Sequence, residues 1–165
     1  MRPWSPARGP GVARRFGDAD LEFDALALLG EAYVESGRIA EGMTLIDQAM
    51  AAVSSGEVTG IVAVGGIYCR FLSACEHTTD VRRAEQWMSV VDRFVVWSNS
   101  LLVSTTCRLH FGGILIATGR WAEAEEELTA AIRLSESSFR MTTRPPRCPD
   151  HGGGDDGFAS IRTPR

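Results

Sequence analysis

The sequence contains no lysine and no apolar run long enough to cross a membrane. All 17 basic residues among its 165 residues are arginines, which we attribute to the compositional bias of a GC-rich coding sequence. The longest apolar run, Ile61 to Cys69, is far shorter than the roughly 20 residues that a membrane-spanning helix requires. A continuous apolar segment of signal-peptide length is also missing. We therefore expect a cytoplasmic protein with no membrane partner.

Motifs that carry catalysis are absent as well. The sequence has no Gly-rich phosphate loop between a strand and a helix, no nucleophile elbow and no zinc-protease helix. The acidic run at residues 123–127 opens a predicted helix, where carboxylates meet the positive end of the helix dipole. We interpret this run as a solvated helix start. We expect no enzymatic activity and no cofactor.

Pairs of cysteine and histidine could bind a metal, and a metal site is the least favoured alternative. The possible ligand pairs are Cys75 with His77, Cys107 with His110, and Cys148 with His151. No two of these pairs have the spacing of a known zinc module, and Cys75 falls at a predicted core position. A metal-binding sensor or enzyme is thus a third and weaker interpretation. Four cysteines without an export signal also argue against a disulfide framework.

Charge is distributed unevenly along the chain. Residues 1–15 carry four Arg and no acid, and residues 140–165 carry five Arg and three Asp. The segment between them holds 8 Arg and 18 acidic residues, so its net charge is −10 whereas that of the chain is −4. Such an acidic body repels phosphate backbones. We expect no direct contact with nucleic acid.

A helical pattern occurs three times between residues 18 and 138. In each copy two amphipathic segments flank a turn, and the turns at Gly37, Thr79 and Gly119 are 42 and 40 residues apart. Residues 94–107 favour a strand by propensity, but the register requires a helix end and a helix start there. The spacing predicts an all-α fold with six helices, at residues 19–36, 38–54, 58–77, 80–97, 100–118 and 120–137.

The repeated residues resemble the tetratricopeptide repeat. The first copy has the Leu-Gly pair of that pattern at residues 29 and 30, but Gly42 stands where the pattern prefers Ala, and the middle copy has Leu72 in place of the packing glycine. The resemblance implies an αα-hairpin solenoid of about three repeats. The residues that it assigns to repeat packing are Gly30, Tyr33, Gly37, Ala49, Ala84, Gly112, Gly119, Trp121, Ala124, Leu128 and Ala131.

Four segments also resemble the repeat region of actinobacterial LuxR-type transcriptional regulators. These segments are residues 17–22, 42–50, 83–87 and 117–125. In that family a helical repeat array precedes a helix-turn-helix, which this sequence does not contain. The resemblance implies a fragment of such a regulator that serves as its sensing or regulatory region. The alternative is a free-standing tetratricopeptide scaffold or adaptor that binds a peptide partner.

The tetratricopeptide resemblance also implies a partner-binding groove lined by the first helix of each repeat. Its residues would be Glu31, Val34, Glu35, Ser73, Glu76, His77, Leu109 and Ile116. Because this groove is acidic at one end and apolar at the other, a basic amphipathic peptide would match it. The alternative is that further repeats of a parent chain cover these residues, or that they are ordinary exposed residues.

The two ends of the chain are rich in Pro, Gly and Arg. We expect residues 1–17 to be flexible and interpret them as a remnant of a preceding repeat. Periodicity stops near residue 139, and residues 139–165 lack the apolar content needed for a core. We expect this tail to be disordered and interpret it as the product of a frameshift or a misplaced stop.

Overall fold

The computed structural model describes residues 17–143, with side chains up to residue 136, and this part of the chain is helical without strands. The six helices are α1 (Ala19–Glu35), α2 (Ile39–Ser55), α3 (Ile61–Thr78), α4 (Val81–Ser98), α5 (Leu101–Ala117) and α6 (Trp121–Thr143). The prediction of six helices is therefore confirmed. None of the described helices combines the length and apolar character that a membrane span requires.

Two boundaries test the sequence interpretation most directly. Residues 94–107 contain the end of α4 and the start of α5, as the repeat register predicted and against their strand propensity. Within this stretch Cys107 is buried in the core and Phe94 and Val103 pack against it, so tertiary packing overrides local preference. Helix α6 continues to Thr143 instead of ending at residue 137, so it includes the first residues of the predicted tail at 139–165. The rest of that tail, from residue 144, lies outside the described residues, as do residues 1–16 of the predicted N-terminal segment at 1–17.

The helices pack as three consecutive pairs: α1 with α2, α3 with α4, and α5 with α6. The first helices of neighbouring pairs also contact each other, because α3 packs against α1 and α5 packs against α3. In addition, α3 contacts α2 and α5 contacts α4, so each first helix also meets the second helix of the preceding pair. Helix α3 is consequently the centre of the core, and Ile67, Phe71 and Leu72 on it are fully buried.

Small residues set the distance within each pair. A Cβ atom added to Gly30 would lie 2.7 Å from the Gly42 carbonyl oxygen, so α1 and α2 are in backbone contact. In the third pair, Gly112 of α5 receives the side chain of Leu128, which would come within 2.7 Å of an added Cβ atom. Helices α3 and α4 pack less closely than the other pairs. The buried side chain of Leu72 stands at the equivalent position and holds them apart.

Trp121 was predicted to contribute to repeat packing, but it is largely exposed. Its side chain is 67% exposed, whereas Ala124 and Ala131 of the same helix are buried. Trp121 is the first residue of α6 and lies outside the stripe that faces α5. The large side chain therefore contributes little to the contact between the two helices. Ile39, the first residue of α2, is 48% exposed for the same geometric reason.

Candidate protein-binding surfaces

The first helices share a polar surface that we call the first-helix surface, formed by Asp24, Glu31 and Glu35 of α1, Arg70, Glu76 and His77 of α3, and His110 and Gly113 of α5. Polar contacts cross it from the first helix of one pair to the first helix of the next. Arg70 Nη1 lies 2.5 Å from Asp24 Oδ1, and its Nε lies 3.8 Å from Glu31 Oε2. Glu76 Oε2 lies 2.7 Å from His110 Nδ1. These contacts connect all three helix pairs.

Two of the predicted groove residues contact side chains of the protein itself. Glu31 and Glu76 were predicted to meet a partner, but Glu31 lies against Arg70 and Glu76 against His110, each on the first helix of the following pair. Arg70 was not among the predicted residues. The sequence could have identified Arg70, because it stands 40 residues before His110 at the equivalent repeat position. Each of the two residues faces a carboxylate of the preceding pair. Glu35 and His77 are exposed as the groove prediction requires.

Two other predicted groove residues are buried, so their assignment was wrong. Val34 belongs to the core, because α1 and α2 approach so closely that a Cβ atom on Gly42 would lie 2.7 Å from Val34 Cγ2. Ser73 is also buried, on the central helix α3. Its carbonyl oxygen lies 2.9 Å from His77 Nδ1. Neither side chain is available to a partner.

The last two predicted residues, Leu109 and Ile116, are exposed and form part of a different surface. Together with Ile132 of α6 they make an apolar surface that we call the end face. Their side chains are 51%, 40% and 59% exposed, respectively. The residues 82 positions earlier are Ala27, Val34 and Met50, which are 0%, 5% and 2% exposed. The same register positions are thus covered in the first pair and open in the third.

The second pair contacts the following pair through these positions, although the side chains of Glu76 and Asp92 remain 38% and 50% exposed. Its corresponding residues are Cys69, Glu76 and Asp92, and each contacts helix α5 of the following pair. Cys69 Sγ lies 3.8 Å from Cys107 Sγ, and Asp92 Oδ1 lies 3.0 Å from Arg108 Nη2. The contact of Glu76 with His110 completes the set. In this register the three positions face the next helix pair.

The second helix of each pair also carries an exposed acidic residue. Asp47 of α2 lies 3.4 Å from Arg83 at the start of α4, and Glu85 of α4 is ion-paired with Arg120 just before α6. Glu125 of α6 occupies the register position of Glu85 and is exposed. It also borders a cavity of about 790 Å³. The residues that line this cavity are Arg108, Ala122, Glu125, Glu126, Thr129, Ala130, Arg133 and Leu134.

The residues considered as metal ligands are directed to separate partners. Cys107 faces Cys69 while His110 faces Glu76, so this pair does not converge on one point. Burial raises the pKa of the Cys75 thiol to about 12, which disfavours the thiolate that binds metals. Within residues 17–136 no three His, Cys, Asp or Glu side chains are grouped as metal ligands. Cys148 and His151 lie outside the described residues.

Comparison with known proteins adds no relative. No protein-family model, curated protein or solved structure matches the chain.

Proposed function

We propose that the protein is a non-catalytic interaction module built from helical-hairpin repeats of the tetratricopeptide type. The three helix pairs support this proposal, because each first helix packs against both helices of the preceding pair. The turns at Gly37, Thr79 and Gly119 all have positive φ, as expected for equivalent positions of a repeat. Repeat arrays of this kind act by offering extended surfaces to other polypeptides.

The end face is the observation that carries the proposal. Leu109, Ile116 and Ile132 occupy the register positions through which the second pair contacts α5 of the following pair. The three side chains are between 40% and 59% exposed, and apolar side chains that are exposed together mark interaction sites. Burying one such side chain contributes about 1.5–3 kcal/mol. We infer that a partner helix occupies this face in the way that α3 and α5 occupy the faces before it.

The surrounding charges define the chemistry of this partner. In the two internal interfaces an acidic residue of the second helix, Asp47 or Glu85, pairs with an arginine of the next pair. Glu125 of α6 stands at the register position of Glu85 and is exposed. The partner is therefore an amphipathic helix whose apolar stripe is flanked by Arg or Lys. Helices with apolar residues at positions i, i+3, i+4 and i+7 bind apolar surfaces of this kind.

A selection experiment tests this assignment. A display library of amphipathic helical peptides, with fixed apolar positions and variable flanking charge, is selected against the immobilised full-length chain. We expect the enriched peptides to be basic and to bind the end face. Ile116→Glu and Leu109→Glu should each weaken their binding by about tenfold or more, which corresponds to at least about 1.4 kcal/mol.

Val62→Glu is the matched control for these two substitutions. Val62 is an exposed aliphatic residue of α3, and it lies outside the end face, so the same substitution there should leave affinity unchanged. Equal losses in all three variants would mean that binding depends on general hydrophobicity. Binding that survives both end-face substitutions would contradict the proposed site.

The first-helix surface supports a second candidate function, the binding of a basic peptide. Asp24, Glu31, Glu35 and Glu76 place four carboxylates beside a single guanidinium, that of Arg70, among the residues that define this surface. A free-standing adaptor would bind a peptide there. In the same selection, peptides bound at this surface would lose affinity on Glu35→Lys and retain it on Ile116→Glu.

We further propose that the module belongs to the cytoplasmic sensing or regulatory region of a LuxR-type transcriptional regulator. The resemblance of residues 42–50 and 117–125 to that repeat region supports this proposal. In that setting the partner of the end face is a further repeat of the same parent polypeptide. A helix-turn-helix encoded in another frame of the same gene would support this origin. A gene without any such segment would exclude it.

A further inference from the structure

Two cysteines from different helix pairs are in contact. Cys69 lies on α3 and Cys107 on α5, and their sulfur atoms are 3.8 Å apart. Both thiols are free. A disulfide requires about 2.05 Å between the sulfur atoms, so side-chain rotation and a small movement of the helices separate this contact from a bond. The contact lies at one of the register positions through which neighbouring pairs pack.

The surroundings give a small oxidant access to one of the two thiols. Cys107 is fully buried, whereas Cys69 is partly exposed. Cys69 also lines a cavity of about 330 Å³ between the first halves of α3 and α5. Gly65 and Gly66 form part of its wall and add no side chain to it. A peroxide molecule reaches Cys69 before it reaches Cys107.

The electrostatics favour the same order of reaction. The hydrogen bond with the Cys107 thiol lowers the pKa of Cys69, and the positive charge of the adjacent Arg70 acts in the same direction. That hydrogen bond and burial both raise the pKa of Cys107. Thiolate, the nucleophilic form, is consequently favoured at the accessible sulfur.

We propose that Cys69 and Cys107 form a reversible intramolecular disulfide when the protein meets a peroxide. The Cys69 thiolate attacks one peroxide oxygen, the O–O bond breaks, and hydroxide leaves with the bonding electron pair. The resulting sulfenic acid of Cys69 is attacked by the Cys107 sulfur, which loses its proton as the second hydroxide leaves. Two thiols and one hydrogen peroxide give one disulfide and two waters.

The bond would fix the second helix pair to the third. It closes a loop of about 38 residues and joins helices that otherwise meet through side-chain packing and the Glu76–His110 contact. The oxidised chain should therefore unfold at a higher temperature, by roughly 5–10 °C. This modification site does not depend on the proposed partner of the end face.

Peptide mapping tests the proposal without any substitution. Trypsin cleaves after Arg, so the four cysteines fall in four different peptides: residues 39–70, 71–82, 94–108 and 148–162. The full-length native protein is treated with one equivalent of hydrogen peroxide, alkylated under denaturing conditions and digested. We expect a species with the mass of peptides 39–70 and 94–108 joined, minus two hydrogen atoms. Dithiothreitol should separate it into the two parent peptides.

Variants provide the controls. Cys75→Ser and Cys148→Ser should leave the linked species intact, and Cys69→Ser should abolish it with peptide 94–108 recovered as free thiol. Cys107→Ser should instead leave Cys69 at the sulfenic acid stage, because one equivalent of peroxide supplies a single two-electron oxidation. One result would overturn the proposal: in the wild-type protein, Cys75 or Cys148 is oxidised while peptides 39–70 and 94–108 are both recovered as alkylated thiols. Sulfinic acid at Cys69 while wild-type Cys107 is still a thiol would also overturn it.

Discussion

At the scale of single residues, the closest approach of two helices depends on two glycines that face each other. A Cβ atom on Gly42 would lie 2.8 Å from the Val34 amide nitrogen and in contact with the Gly30 carbonyl oxygen. Both atoms belong to the backbone and cannot rotate away. The tetratricopeptide pattern prefers Ala at this position, so the glycine is a departure that the local packing explains.

We therefore predict that Gly42→Ala destabilises the protein, by up to about 2 kcal/mol. Replacing a helical glycine by alanine contributes about 1 kcal/mol of helix propensity, but the overpacking costs about 1–3 kcal/mol. Gly66→Ala is the control, because the added Cβ atom would meet the mobile ends of Arg70 and Asp24 rather than backbone. Urea unfolding of both variants measures the difference. An unchanged midpoint for Gly42→Ala would contradict the backbone contact.

The thiols offer a second prediction at this scale. Because the pKa of Cys69 is lowered and that of Cys75 is raised to about 12, Cys69 carries thiolate at a pH where Cys75 is protonated. In native protein at about pH 8, iodoacetamide should label peptide 39–70 well before peptide 71–82. Rates are measured by mass spectrometry during the reaction. Equal rates would show that Cys69 has no thiolate advantage, and denatured protein provides the reference in which the difference disappears.

At the scale of helices and turns, the six helices could be predicted from the sequence because its turns recur at spacings of 42 and 40 residues. Gly37, Thr79 and Gly119 have φ values of 85°, 55° and 78°, so all three turns adopt the left-handed conformation. Glycine reaches this conformation without steric cost, but a β-branched residue does not. Thr79 is the position at which the repeat is strained.

Thr79→Gly should consequently stabilise the protein by roughly 0.5–1 kcal/mol. The substitution removes the cost of a left-handed threonine, and part of that gain is offset by the greater entropy of glycine in the unfolded chain. Ser36→Gly is a suitable control, because Ser36 has a φ of −81° and donates a hydrogen bond to the Tyr33 carbonyl oxygen. That control should lose stability slightly. Thermal unfolding of both variants measures the sign of each change in stability. A lower unfolding temperature for Thr79→Gly would contradict the strain at this position.

Features that depend on the distance between helices could not be predicted from the sequence. The burial of Val34 follows from how closely α2 approaches α1, and the contact of Cys69 with Cys107 follows from how α5 lies against α3. Helical periodicity places a residue on a face of its own helix but does not say which other helix covers that face. For this reason Leu109 and Ile116 were correctly expected to be exposed, although they lie on the end face and not beside Glu31.

At the scale of the whole molecule, equivalent register positions differ between the three helix pairs. Ala27, Val34 and Met50 of the first pair are buried, Cys69, Glu76 and Asp92 of the second pair contact α5 of the third, and the equivalent residues of the third pair are exposed. The acidic character of the central segment continues on α6, where Glu125 and Glu126 border the cavity near the end face. The proposed partner, a basic amphipathic helix, completes this pattern of apolar and ionic contacts.

The most direct test of this central claim compares two equivalent residues, Met50 and Ile132, by alanine substitution and urea unfolding. Met50 is covered and Ile132 is open, so Met50→Ala should cost about 2–5 kcal/mol while Ile132→Ala changes stability by no more than about 0.5 kcal/mol. This result would show that the position is covered in the first pair and open in the third. Similar losses at both positions would contradict the account, because the end face would then already be covered in the protein itself.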